Sequence, residues 1–251
     1  MAKNNKLKAR RRDPASRQKI ELVNENRDLV REHFNSARIN IDYSIIKDAD
    51  NGKVFVITSG LQSEGKTFCS INLARAFGNI QENKVIVVDC DLHAPKLHRY
   101  LNVPNKPGLT DFLSNKNTFP ESCFYNQKEN FHVMTSGTRV PNSTVFLSGK
   151  LFRSFLRMLR KQFDYIIIDT PPVLQVTDAC SFAAHTDGVV IVTRAGQSTK
   201  PALKQTIETL EKAQATILGT ILIDVDFSKQ GYGYGYGYSY GYGTEGDTSD
   251  S

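Results

Sequence analysis

The sequence predicts an α/β fold, a doubly wound and mostly parallel sheet with helices on both faces. Three observations carry that expectation. Short, continuously apolar runs alternate with stretches of helical spacing, the arrangement of buried parallel strands joined by crossover helices. Three of the runs deliver phosphate- or metal-binding residue types at their ends: a Gly-rich loop after Lys53–Thr58, Asp89 after Val85–Val88 and Asp169 after Tyr165–Ile168. Ligands of open α/β sheets bind at that carboxyl end of the strands. The chain, at 251 residues, is also long enough for one good core with tails.

Residues 1–19 form the first segment, a basic flexible arm with eight Lys/Arg against the single acid Asp13. Such a run is a solvated arm, or one drawn to anionic lipid or another polyanion. No apolar h-region follows it, so it is not a signal peptide. The longest apolar runs, VIVV and YIII, have core-strand length and fall far short of a membrane span, so the chain is expected to be soluble on its own.

The core domain is expected over 20–230. It opens with a helix over 20–44, in which Glu32, Asn35 and Arg38 recur along one side. That helix either docks on its own domain or forms an oligomer contact. Asp48–Gly52 (DADNG) is turn chemistry separating it from the first strand.

The strand Lys53–Thr58 leads into Gly60, Leu61, Gln62, Ser63, Glu64, Gly65, Lys66 and Thr67, which fits G-x-x-x-x-G-K-[ST]. Phe68 follows, and Ser70–Phe77 has helical apolar spacing. Strand, loop and helix are the context a phosphate-binding loop needs, which makes the fold that of a P-loop NTPase. Glycines let successive backbone N–H groups face phosphate oxygens, and the helix N-terminus adds its dipole. The stretch from Gly60 to Phe68 is therefore the expected ATP-binding segment. Within it, Lys66 reaches the β/γ-phosphates and Thr67 holds Mg²⁺.

The second run ends in Asp89 and Asp91, two residues apart, so on a strand both carboxylates would face one site. An isolated pair of this kind reads as a helix cap. Following a phosphate loop by one βα unit, it reads as metal or base chemistry. The third run delivers Asp169 to the Mg²⁺, and Thr170-Pro171-Pro172 stops the strand. Phe131–Met134, Gly188–Thr193 and Ile217–Ile223 read as further strands, with helices over Ser148–Gln162 and Lys200–Gln214. Cys69, Cys90, Cys123 and Cys180 lack C-x-x-C spacing and read as buried, reduced thiols.

Over 231–251 the composition changes to GYGYGYGYSYGYGTEGDTSDS, with Tyr232, Tyr234, Tyr236, Tyr238, Tyr240 and Tyr242 at every second position. Alternating Gly and Tyr cannot form a packed core. One reading is a low-complexity linker or a β-prone edge. The other, favoured behind a nucleotide-binding domain, is a flexible string of phenols able to enter an active site.

On SEGKT (Ser63–Thr67), VVDCDL (Val87–Leu92), GLTDFL (Gly108–Leu113), IIIDTPP (Ile166–Pro172) and this tail, the chain resembles the bacterial tyrosine kinases of exopolysaccharide and capsule synthesis. Within that family it resembles the Gram-positive type, which has a separate membrane activator. The resemblance runs from about Glu32 to the C-terminus. It implies ATP- and Mg²⁺-dependent autophosphorylation of the six tail tyrosines in trans, within a homo-oligomer, a ring. It further implies activation by a membrane-anchored polysaccharide co-polymerase, reversal by a cognate tyrosine phosphatase, and no nucleic-acid partner. Localisation would be cytoplasmic, at the inner face of the cell membrane.

Carried over by position, Lys66, Asp89 and Asp91 are the catalytic set, with Asp89 as base for the tyrosine hydroxyl. Thr67, Asp89 and Asp169 are the metal set. Glu32 and Arg38 match the outer positions of the oligomer motif Glu-x-x-Arg-x-x-Arg, whose middle position is Asn35 here. The loop departs from the family at Gln62-Ser63, where Pro-Gly is usual, and His93-Ala94 replaces the usual basic pair. Two other functions fit the same fold: a partitioning or septum-placement ATPase, and a nucleotide-dependent scaffold. The former carries a signature lysine where this chain has Leu61, and it lacks a tyrosine tail.

Overall fold

The computed structural model describes residues 24–45, 51–114, 125–126, 130–176 and 185–226. The basic arm 1–19, the tail 231–251 with its six tyrosines, Cys123 and Cys180 lie outside the described residues. In chain order the elements are α1 Asn24–Ser44, β1 Lys53–Ser59, α2 Lys66–Gly78, β2 Val85–Asp89, α3 Leu97–Leu101, α4 Leu109–Ser114 and β3 Tyr125–Asn126. They continue with β4 His132–Met134, α5 Ser143–Ser148, α6 Lys150–Arg160, β5 Tyr165–Asp169, β6 Gly188–Arg194, α7 Lys200–Lys212 and β7 Ile217–Ile223.

The strands form one seven-stranded sheet in the order β3-β4-β2-β5-β1-β6-β7. Every neighbouring pair is parallel except β3 with β4, an antiparallel edge that the sequence patterning did not reveal. Its short run, Tyr125–Asn126, is too brief to show a period.

Burial follows the period-two pleat. Val54 and Val56 of β1 face a core shared with α4, α5, α6 and α7, whereas Phe55 and Ile57 face a second core under α1, α2 and α3. The sheet is therefore doubly wound. The central strands β1, β2 and β5 are buried on both faces, which is why they read as unbroken apolar runs. Edge strand β7 is only half-buried, with Leu222 exposed.

The helix expected over Ser148–Gln162 is α6, Lys150–Arg160, and the short α5 before it is an element the sequence reading did not assign. Gly149 adopts an extended conformation (φ −77°, ψ 165°) that ends α5 and opens α6. At the amino end of the sheet, Asp187 accepts paired bonds from Arg160 at 2.8 and 2.9 Å and one from Val54 N–H at 2.6 Å. Helix α1 packs along α2, with its last turns at that end and its middle beside the start of α2. Asp42 accepts the Tyr165 phenol at 2.6 Å and binds Lys53 Nζ, and Phe34 meets the Phe68 ring edge-on at 5.8 Å. Burial and the Asp42 carboxylate together push the Tyr165 phenol above its usual range. Docking on its own domain therefore accounts for one side of α1. Leu29 (52% exposed) and Tyr43 (83%) remain in solvent.

Candidate active site

The strand register creates the site. Asp169 closes β5, level with Ile57 of β1 on one side and Asp89 of β2 on the other. The loop leaving β1 therefore lies beside two strand-end carboxylates. Gly65 supplies the left-handed backbone (φ 90°) that turns this loop into α2, a conformation glycine adopts without strain. Ser63 also takes a positive φ, 62°.

Lys66 and Thr67 occupy the first turn of α2. Lys66 is 8% exposed, and its ammonium donates to Ser59 Oγ at 3.1 Å. Burial lowers its pKa, opposed chiefly by the Asp169 and Asp91 carboxylates. Thr67 Oγ1 donates to Asp169 Oδ2 at 2.7 Å, and Ser70 Oγ donates to Asp169 Oδ1 at 3.1 Å. Burial raises Asp169 to about 6, against the hydroxyl of Thr67 and the charge of Lys66. Asp89 is fully buried and is held well above the ordinary carboxylate range, first by burial and then by Asp169 and Asp91.

Asp89 also performs the capping role that an isolated acid would have. Its two oxygens accept the N–H groups of Asp91 at 3.1 Å and Leu97 at 3.2 Å. Strand β2 ends at Asp89, so the strand-alternation argument does not reach Asp91. That residue stands in the following loop, half-buried, and accepts Ala94 N–H at 2.9 Å. Its charge nevertheless acts on Lys66, Asp89 and Asp169. Lys66, Thr67, Asp89, Asp91 and Asp169 are thus brought together.

The rest of the loop is braced from within and from β6. Glu64, 1% exposed, accepts Leu61 N–H at 2.7 Å and the Ser198 hydroxyl. Arg194 donates to Ser63 O and Gln197 to Gln62 O, each at 2.8 Å. Gly60 packs so closely that a Cβ there would approach Thr206 Oγ1 to 2.5 Å. Sequence reasoning missed Ser59, Ser70, Arg194, Gln197 and Ser198. Ser70 follows Thr67 by three residues, the spacing of one helix face. Arg194 closes β6 and Gln197 and Ser198 follow it, where the rule of strand carboxyl ends would have directed attention. Leu61, Gln62 and Phe68 contribute backbone and packing. Glu32 is exposed, while Arg38 is half-buried and encloses an Nε with no hydrogen-bond partner.

The hard oxygens of Thr67 and Asp169 suit Mg²⁺, which takes one or two carboxylates and completes its shell with phosphates and water. The buried Asp169 carboxylate, raised for want of compensation, fits the same ion. Among the described residues no group of three or more His, Cys, Asp or Glu could hold a metal by itself. No helix there is long and apolar enough to cross a membrane.

Comparison with known proteins agrees with this geometry. The family model described as an AAA domain matches residues 52–223. The tyrosine-protein kinase CpsD of Streptococcus pneumoniae is 32% identical, covering 86% of this chain and 92% of its own length. The tyrosine-protein kinase YwqD of Bacillus subtilis is 31% identical, covering 88% and 93%. The tyrosine-protein kinase ptk of Acinetobacter johnsonii is 31% identical over 85% of this chain, which spans only 29% of that longer protein. Among solved structures, the kinase domain of the Escherichia coli tyrosine kinase ETK superposes with a TM-score of 0.74 at 29% identity, covering 83% and 80% of the two chains. The chimerical protein CapA2B2 gives 0.70 at 32% identity, covering 76% and 83%. The cell division ATPase MinD of Pyrococcus furiosus gives 0.57 at 28% identity, covering 68% and 71%.

Proposed function

The chain belongs to the bacterial tyrosine-protein kinases, and we propose that it transfers the γ-phosphoryl group of ATP to its own tail tyrosines, in trans, to regulate exopolysaccharide or capsule synthesis. The observation carrying this reading is the meeting of a phosphate loop with three strand-end or loop carboxylates, in a chain that ends in six phenols.

Phosphoryl transfer needs alignment and charge neutralisation more than covalent assistance. The amides of the Gly60–Phe68 segment and Lys66 are the groups that would hold the β/γ-phosphates. The Lys66 ammonium, held at the end of β1 by Ser59 Oγ, is the cation assigned to them. Thr67 and Asp169 are the residues that would hold Mg²⁺, with Asp89 behind them. The ion supplies neutralisation of the developing phosphate charge. A tyrosine hydroxyl, pKa about 10, enters protonated at neutral pH, so a carboxylate must take or orient its proton. Asp89, raised by burial, is the base we assign, and Asp91 orients at the mouth of the site. The glycines between the phenols give the tail the reach to present any of them.

In this reading the activator is a membrane-anchored polysaccharide co-polymerase that holds the kinase at the cytoplasmic face of the membrane. The likeness to the CapA2B2 chimera supports it. A ring of copies through α1, using Glu32 and Arg38, and a cognate phosphatase complete the cycle; nucleic acid has no part in it. The domain division is a basic arm over 1–19, the kinase domain over 20–230 and the substrate tail over 231–251. The partitioning-ATPase reading has less support, since Leu61 stands where that group has its signature lysine.

The test is incubation with γ-labelled ATP and Mg²⁺, with and without the activator's cytoplasmic segment. Label retained on tyrosine is expected. Free phosphate without protein label would make the chain an ATPase, and neither product would leave a scaffold.

A further inference from the structure

Beside the strand ends, the segments that follow β2 and β4 and the turn at Asn105–Lys106 enclose a second hollow of about 410 Å³. Its walls carry Lys96, Arg99, Lys106 and Arg139. Among the described residues none of these four cations is paired with a carboxylate. The acids closest in sequence are bonded to backbone N–H groups, those of the lining residues Ala94 and Thr138 among them, rather than to these cations. Asp91 accepts Ala94 N–H at 2.9 Å, and Asp111 accepts Gly108 N–H at 2.9 Å and Thr138 N–H at 3.1 Å.

The floor of the hollow is built rather than incidental. The Asn105 amide donates to Gly137 O at 2.8 Å and accepts the Ser136 hydroxyl at 3.1 Å, while Thr135 Oγ1 donates to Asn105 O at 3.0 Å. Gly137 has φ +87°, and a Cβ there would come within 2.6 Å of Thr110 Oγ1. Four unpaired cations around a fixed concave wall repel one another and concentrate field for a multivalent anion. The two guanidinium groups offer the fork that matches phosphate oxygens. The hollow also adjoins the strand ends, because Asp89 accepts the N–H of Leu97, next to Lys96, at 3.2 Å and Asp91 accepts that of the lining residue Ala94 at 2.9 Å.

We propose that this hollow is a phosphomonoester site that receives a tail tyrosine already phosphorylated. The inference rests on the kinase reading above, and it names how that site handles its partly modified substrate. Phosphotyrosine carries about −1.5 to −2 charge at neutral pH, against which four cations are set. In the tail the next phenol lies two residues away, roughly 7 Å along an extended chain. A phosphate held in the hollow therefore keeps a neighbouring phenol beside the strand ends at high effective concentration. The first transfer thus favours the second, and the tail is modified in runs.

The test measures binding of a fluorescent Gly-Tyr heptapeptide to the full chain with the phosphate loop filled by ADP and Mg²⁺. The peptide carrying one central phosphotyrosine should bind at least about tenfold tighter than its unphosphorylated form, equivalent to ~1.4 kcal/mol. Lys96→Gln/Lys106→Gln/Arg139→Gln should erase that difference while circular dichroism and ADP affinity stay unchanged. Inorganic phosphate should compete only weakly. Equal affinity for the two peptides, a phosphopeptide affinity untouched by the triple substitution, or loss of binding when ADP is added would overturn the proposal. Inorganic phosphate competing as tightly as the peptide would overturn the tail as its source. Binding is read without turnover, so failure of the hollow is distinguishable from failure of the kinase assignment.

Discussion

Asp169→Asn should make the metal-free, nucleotide-free protein more stable while destroying its activity. Asp169 is 1% exposed, and burial raises it from 3.8 to about 6. Its folded pKa thus lies above its unfolded one. The stability linked to this proton is fully present below about 3.8 and is lost as pH rises through about 6. At pH 7.5 the ionised carboxylate therefore costs the fold about 3 kcal/mol, from roughly two pKa units at 1.36 kcal/mol each. An amide removes that penalty but keeps only one acceptor for the hydroxyls of Thr67 and Ser70, which gives back about 1 kcal/mol. The net gain of about 2 kcal/mol raises Tm by about 4–8 °C in a chain of this size. Thermal unfolding in chelator at pH 5 and pH 7.5 reads it directly. The variant should lead by about 2 kcal/mol at pH 7.5 and by less than about 1 kcal/mol at pH 5, where about half of the penalty is already relieved. A Tm below wild type at pH 7.5, or a difference independent of pH, would refute the electrostatic account of this carboxylate.

Lys66→Met should abolish phosphate transfer and leave the fold intact, as read by labelled ATP and circular dichroism; a fully active purified variant would remove the loop from the mechanism. Asp89→Asn should cut transfer by about 10²–10⁴ while sparing much of the nucleotide affinity, and unchanged turnover would deny Asp89 the role of base. Glu64→Ala strips two donors, Leu61 N–H and the Ser198 hydroxyl, of their buried acceptor. It should lower stability by about 2–4 kcal/mol and raise KM for ATP, and a variant with wild-type Tm and KM would show that the loop needs no internal brace.

The central sheet was legible because its strands are buried on both faces, which leaves continuous apolar runs, and because each delivers its functional residue at one end. Asp169 could be found on that ground, and Lys66 and Thr67 from the G-x-x-x-x-G-K-[ST] match that follows β1. Asp89 was legible as an acid with a capping or a chemical role, but its partner Leu97 N–H was not, since that bond depends on a loop returning from eight residues later. The braces from Arg194, Gln197 and Ser198 were invisible for a related reason. They reach the phosphate loop only because β6 lies beside β1, a neighbour relation that sequence order does not disclose. Helix α5 was missed because its six residues are too few to show a helical period. Strand β3 was missed because a two-residue pairing has no periodicity to read.

The claim of transfer in trans to the tail is tested most directly by mixing two defective chains. One carries Lys66→Met with its tail intact; the other retains Lys66 but has Tyr232, Tyr234, Tyr236, Tyr238, Tyr240 and Tyr242 replaced together by Phe. With labelled ATP, Mg²⁺ and the activator segment, neither chain alone should acquire label. The mixture should label the Lys66→Met chain on tyrosine. Label on the chain without tail tyrosines, or none in the mixture while wild type labels itself, would contradict the account.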